Sequence, residues 1–126
     1  MSLQLVMYRG DEREFEITLT ENDLPIDLTG AAVVFTARAD LDDLEPTFTL
    51  TSVGGDIVIN PDQVGAGKGK FTLTVPSTAT IDLERGVTLL CDVEVTIGGD
   101  VRTWPDADYG QSTLIRLKVR GDVTHP

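Results

Sequence analysis

The sequence predicts an all-β fold, an antiparallel β-sandwich of two sheets with one short helical turn at a crossover. Three observations predict it. Apolar residues recur with a period of two almost throughout, Val, Ile, Thr and Phe fill those runs, and proline and glycine fall between them. Such alternation is what burial on one side of each sheet requires. At 126 residues, 40% hydrophobic and 25% charged, the chain is expected to form one globular domain over 1–126. Two domains would leave neither half enough buried surface.

The first run is Leu3–Tyr8. Phe15, Ile17 and Leu19 then alternate with Glu14, Glu16, Thr18 and Thr20, and Val33, Phe35 and Ala37 alternate with Val34, Thr36 and Arg38. Phe48 and Leu50 form a shorter run, and Phe71, Leu73 and Val75 alternate with Thr72 and Thr74. Ser77 is expected to cap a helical turn after Pro76, with Gly86 ending it. The longest run puts Leu89, Cys91, Val93, Val95 and Ile97 on one face, with Leu90, Asp92, Glu94 and Thr96 on the other. Ile115, Leu117 and Val119 close the series against Arg116 and Lys118. Pro25, Pro46, Pro61, Pro76 and Pro105 mark run boundaries, where a missing N–H costs least. Gly54-Gly55-Asp56 and Gly98-Gly99-Asp100 read as hairpin turns, and Gly65–Gly69 as a looser one. Seven to nine short strands at this spacing predict immunoglobulin-like packing, with a closed barrel as the competing architecture.

Ten Lys+Arg against 21 Asp+Glu give a net charge of −11. That balance counts against nucleic acid and anionic membrane surfaces as partners, both of which need a basic face. No apolar run approaches the roughly 18 residues of a membrane span, and the N-terminus lacks the pattern of a secretory signal. One cysteine permits no internal disulfide.

Catalytic chemistry finds little to use. The sole histidine, His125, is penultimate, so no Ser-His-Asp or Cys-His arrangement has a well-placed imidazole. Cys91 falls on the apolar face of its strand and reads as a packed, inert thiol. Gly65–Gly69 precedes no helix and is not a phosphate loop. The acidic runs Asp40–Glu45 and Asp106–Asp108 could offer oxygens to Ca²⁺, but neither has EF-hand spacing, and solvated loop charge is the simpler reading. Arg9-Gly10-Asp11 and Arg120-Gly121-Asp122 are explained by turn chemistry before adhesion. Trp104 and Tyr109 could form a sugar platform, or could cover the open end of the core. The expectation is a non-enzyme with no cofactor and no metal.

Several ordered phrases carry a resemblance. Arg9-Gly10-Asp11 leads into Phe15–Thr20, Leu24-Pro25-Ile26-Asp27-Leu28-Thr29-Gly30-Ala31 into Val33–Thr36, and Gly69–Leu73 precedes Thr80-Ile81-Asp82-Leu83. Cys91–Val95 precedes Gly99–Thr103, and Leu117–Val119 precedes Asp122–Thr124. In this order they resemble the small immunoglobulin-like domains of tailed-phage structural proteins, similar to the N-terminal domain of baseplate upper proteins. The chain departs from that pattern in having Cys91 where an aromatic ring is common, and in a longer Trp104–Tyr109 segment. The resemblance implies a virion assembly module of a phage or prophage tail, made in the host cytoplasm, without the fibre domain some relatives carry. Its partners would be other tail or baseplate proteins, and self-association into a homo-oligomer is also implied. Leu5 and Tyr8 on the first strand, with Trp104 and Tyr109, are then the candidate contacts. The alternative reading is a carbohydrate-binding or adhesion domain using the Trp104/Tyr109 loop.

Overall fold

The computed structural model describes residues 3–21, 24–39, 45–84, 86–104 and 115–121. These residues form an all-β chain: β1 (Leu3–Tyr8), β2 (Arg13–Thr18), β3 (Thr20–Glu21), β4 (Leu24–Pro25), β5 (Ala32–Arg38), β6 (Phe48–Thr51), β7 (Ile57–Ile59), β8 (Lys70–Val75), β9 (Val87–Ile97), β10 (Asp100–Trp104) and β11 (Ile115–Arg120). One helical turn, α1 (Ser77–Thr80), lies between β8 and β9. Setting aside the two-residue strands β3 and β4 leaves nine, within the expected range.

The larger sheet runs β1-β11-β9-β5-β6, and a three-stranded sheet runs β2-β8-β7. Strand β9 organises the first. Its start pairs with β11, its end with β10 on the same side, and β5 lies along its other side. The β9–β10 hairpin turns through Gly98 and Gly99, whose φ values of 56° and 91° are the left-handed pair a two-residue turn needs. Both sheets feed one core. Val33, Phe35, Leu89, Val93, Val95 and Leu117 come from the larger sheet, and Ile17, Phe71, Leu73 and Val75 from the smaller. Each faces inward at the position its alternation predicts, and the residues between are polar or partly exposed.

Three expectations are corrected. Strands β1 and β11 run parallel, because no hairpin joins these far ends of the chain to impose the opposite sense. Gly54-Gly55-Asp56 is not a hairpin: β6 pairs with β5 and β7 with β8, so the turn carries the chain from one sheet to the other. Ser77 does not cap α1; Pro76 occupies the cap, no side chain bonds there, and the helix ends at Thr80, well before Gly86. Pro25 is the last residue of the two-residue strand β4, a boundary position as its run predicts.

Two polar pins hold crossings between the sheets. At the β1–β2 junction Gly10, with φ of 82°, donates its N–H to the fully buried hydroxyl of Thr80 at 3.0 Å. A side chain at Gly10 would meet Ile81 Cδ1 at 2.7 Å. In the β7–β8 connection the buried Gln63 amide makes four bonds: its Oε1 accepts from Leu28 N at 2.9 Å and Gly69 N at 3.0 Å, and its Nε2 donates to Asn60 O at 2.7 Å and Gly67 O at 3.1 Å. The turn that precedes β5, which Ala31 N closes on the O of the fully buried Leu28, is thereby tied to the β7–β8 connection.

Replacing Gln63 with Ala strands two buried N–H donors and is expected to lower the unfolding free energy by about 2–4 kcal/mol, read by urea denaturation. Gln63→Glu keeps the acceptor but turns a carboxylate toward two carbonyls, which raises its folded-state pKa. Its deficit is therefore expected at neutral pH and should shrink as pH falls toward the carboxylate range.

Candidate functional site

A cavity of about 240 Å³ opens beside the β9–β10 hairpin, lined by Ile26, Asp27, Val95, Ile97, Asp100, Arg102 and Trp104. Local pairing builds it. Trp104 lies opposite Val93 and Arg102 opposite Val95 in the β9–β10 ladder. The β3–β4 hairpin is fastened alongside: Trp104 Nε1 donates to Thr20 O at 3.0 Å, and the Arg102 guanidinium pairs with Glu21. Asp27 forms the remaining polar wall. Its carboxylate accepts from Thr29 Oγ1 at 2.6 Å and Thr29 N at 2.9 Å, which holds it below the usual carboxylate range, with Lys68 adding a smaller attraction. An indole, two carboxylates and a guanidinium around a small cleft could hydrogen-bond a polar ligand. The indole N–H and the guanidinium are already engaged within the chain.

The residues singled out in sequence come to different fates. Trp104 is half-buried and packs against the core, covering it beside β9. Tyr109 lies outside the described residues, as do His125, Asp106, Asp108 and residues 40–44. Leu5 is buried at 6% exposure in the core, which removes its side chain from any partner-facing role; Tyr8, at 48%, faces outward. Alternation along β1 would have separated the two, since positions five and eight lie on opposite faces. Arg9-Gly10-Asp11 is built into the fold. Arg9 N–H donates to Arg120 O at 2.8 Å and its guanidinium to Leu83 O at 3.4 Å, while Gly10 bonds Thr80.

Ile26, Asp27, Asp100 and Arg102 were missed as lining residues, because they come from segments some 70 positions apart and no local spacing links them. Among the described residues no group of three or more His, Cys, Asp or Glu could hold a metal ion, and no helix is long and apolar enough to cross a membrane.

Cys91 is buried between β5 and β11, with its Sγ 3.7 Å from Leu89 O. Burial pushes its thiol up to about 12, a contact with the Leu117 backbone opposing and the Asp92 charge adding. On the outer face Asp92 is raised by desolvation, against the attraction of Arg38 at 3.4 Å and with the repulsion of Glu94.

The folded state keeps the Cys91 proton where the unfolded chain, titrating near 9.0, releases it. Stability is therefore expected to fall between pH 9 and about 12, by up to about 1.4 kcal/mol per pH unit from this group. Alkaline denaturation of Cys91→Ala should show a shallower slope than the parent. A thiol reagent should modify Cys91 only after unfolding.

No family model matches the chain, and no curated protein matches it.

Proposed function

We propose that the chain is an immunoglobulin-like β-sandwich serving as a non-enzymatic assembly module of a phage or prophage tail, acting through protein–protein contacts. The observation that carries the fold part is the strand order. One sheet runs β1-β11-β9-β5-β6, the other β2-β8-β7, and the chain changes sheet at β1–β2, between β2 and β5, at β6–β7 and at β8–β9, with α1 at the last crossing. That order supports a two-sheet, Greek-key arrangement like that of immunoglobulin-like domains.

The tail assignment rests on the phrases that resemble phage structural domains, and their positions support it. Asp27–Ala31 forms the turn into β5, with Leu28 buried beneath it. Thr80–Leu83 follows α1 at the β8–β9 crossing, where Thr80 is buried and Ile81 is 46% exposed, lying over Gly10 instead of plugging the core. Cys91–Val95 and Gly99–Thr103 form the long hairpin. Two of these phrases thus fall at sheet crossings, and the third pair builds the hairpin that closes the larger sheet's centre. A carboxylate-rich surface that keeps separate copies soluble until assembly suits the same role.

The test is genetic and biochemical. Flanking genes are expected to encode tail proteins, and the tagged chain co-expressed with their products should copurify with at least one of them. A neighbourhood without phage genes would sink the tail assignment.

The Trp104 cleft supports a second reading, recognition of a carbohydrate, since an indole beside Asp27, Asp100 and Arg102 is suitable sugar-binding chemistry. Titration of Trp104 fluorescence with neutral and acidic oligosaccharides decides it. A flat response is expected under the assembly reading, and saturable quenching under the other.

A further inference from the structure

Strand β1 is the one long edge in the described structure without the usual guards against strand pairing. Its sequence, Leu3-Gln4-Leu5-Val6-Met7-Tyr8, has no charge, proline or glycine. One side pairs with β11, and no described strand pairs the other. The remaining edges differ: β2 carries Arg13, Glu14 and Glu16, β10 carries Asp100 and Arg102, β6 is four residues long and β7 three. Natural sheets charge, shorten or cover an edge to prevent adventitious addition. The ladder also indicates which groups are free. Arg9 N–H donates to Arg120 O, so the parallel alternation turns the N–H groups of Gln4, Val6 and Tyr8 away from β11.

Beside this edge lies a second, independent feature. Arg116, Lys118 and Arg120 share the outer face of β11, directly opposite Gln4, Val6 and Tyr8. On the far side Arg116 and Lys118 lie opposite Leu90 and Thr88. These are three of only ten basic residues in a chain of net charge −11. Arg38, Lys70 and Arg102 each have a carboxylate within ion-pair distance; among the described residues Arg116, Lys118 and Arg120 have none. Val6 and Tyr8 are 36% and 48% exposed next to them.

We infer that β1 is a docking edge for an extended acidic segment of a partner protein, which adds as a strand and sets its carboxylates against the Arg116/Lys118/Arg120 row. The free ladder calls for a polypeptide, since its N–H and C=O groups repeat at strand spacing. The unpaired cations call for acidic side chains on every second residue, because only alternate positions reach one face. Lys and Arg have stems long enough to lean across one intervening strand toward them. The inference rests on reading the chain as a protein-binding module, not on its assignment to a tail.

The probe is a fluorescein-labelled ten-residue peptide alternating Glu and Val, followed by anisotropy, with a Lys/Val peptide as control. The Glu peptide is expected to bind and the Lys peptide not, with affinity falling about tenfold or more from low to high salt. Val6→Pro removes an outward N–H at an edge position and should abolish binding while leaving the circular dichroism unchanged. The double variant Arg116→Glu/Arg120→Glu, at two exposed positions, should lose the Glu peptide and gain the Lys peptide, a reversal that misfolding cannot produce. Four results would overturn the inference: no binding of the Glu peptide; equal binding of both peptides; a sulfated polysaccharide bound equally by the parent and Val6→Pro, which needs no ladder; or a dimer in light scattering that Val6→Pro dissolves, which makes a second copy the occupant. Failure here with copurification intact would remove the β1 edge and leave the module reading standing.

Discussion

The register of β9 is the constraint on which the other strands depend. Its eleven residues pair with β11 and β10 along one side and with β5 along the other, so three partners take their register from it. Leu89, Cys91, Val93 and Val95 point into the core from this strand, and Asp92 and Glu94 point away. A slip of one residue would exchange the two sets, exposing four apolar side chains and burying two carboxylates. Two carboxylates brought into the core without partners would cost several kcal/mol, a large part of the stability of a domain this size. The outward face already registers the tension: Asp92 is partly desolvated and raised, and Arg38 from β5 relieves it.

Burying one face of each sheet does not by itself specify how the sheets are connected. That task falls to the crossings, where polar groups do what apolar contacts cannot. Gln63 ties the β7–β8 connection to the turn before β5, and Thr80 ties the β8–β9 crossing to the β1–β2 junction. Both side chains are buried and bonded, so each acts as a directional restraint without the penalty of an unpaired polar group. The Arg9-Gly10-Asp11 tripeptide takes its meaning from the same setting. Its glycine is required by the positive φ and by Ile81 close above it, and its arginine bonds the backbone at Leu83.

Alternation made much of the fold legible. Val33, Phe35 and Ala37, Phe71, Leu73 and Val75, and Ile115, Leu117 and Val119 are all buried as the two-residue period requires. A period reports which face a residue occupies, however, and is silent about which strand lies beside it. That is why the parallel β1–β11 pair and the sheet change at Gly54-Gly55 were not readable: the first joins distant ends of the chain, and the second uses the same residues a hairpin would. Gln63 escaped for a related reason, since an isolated glutamine in a glycine-rich loop looks like solvent-facing turn chemistry until its four partners converge. Tyr8 and Leu5 were both visible as members of β1, and the same period separates the exposed ring from the buried leucine. The residues of the cleft beside Trp104 were visible only as members of separate phrases, Leu24–Ala31, Leu89–Ile97 and Gly99–Thr103, with nothing in the sequence to bring them together.

The net charge and the bare edge of β1 are two sides of one physical arrangement. Among the described residues, no lysine or proline along β1 guards against two copies pairing edge to edge. A charge of −11 on each copy opposes that encounter at longer range, over a Debye length of about 8–10 Å at physiological salt. The Arg116/Lys118/Arg120 row interrupts that field and lowers the repulsion of an acidic approach beside the edge. Long-range repulsion thus takes the place of local guards, discriminating against a whole second copy while admitting a short acidic strand. Specificity of this kind resides in the contrast between a molecule's total charge and the sign of one face. Composition alone reports only the total, and the register between β1 and β11 supplies the rest.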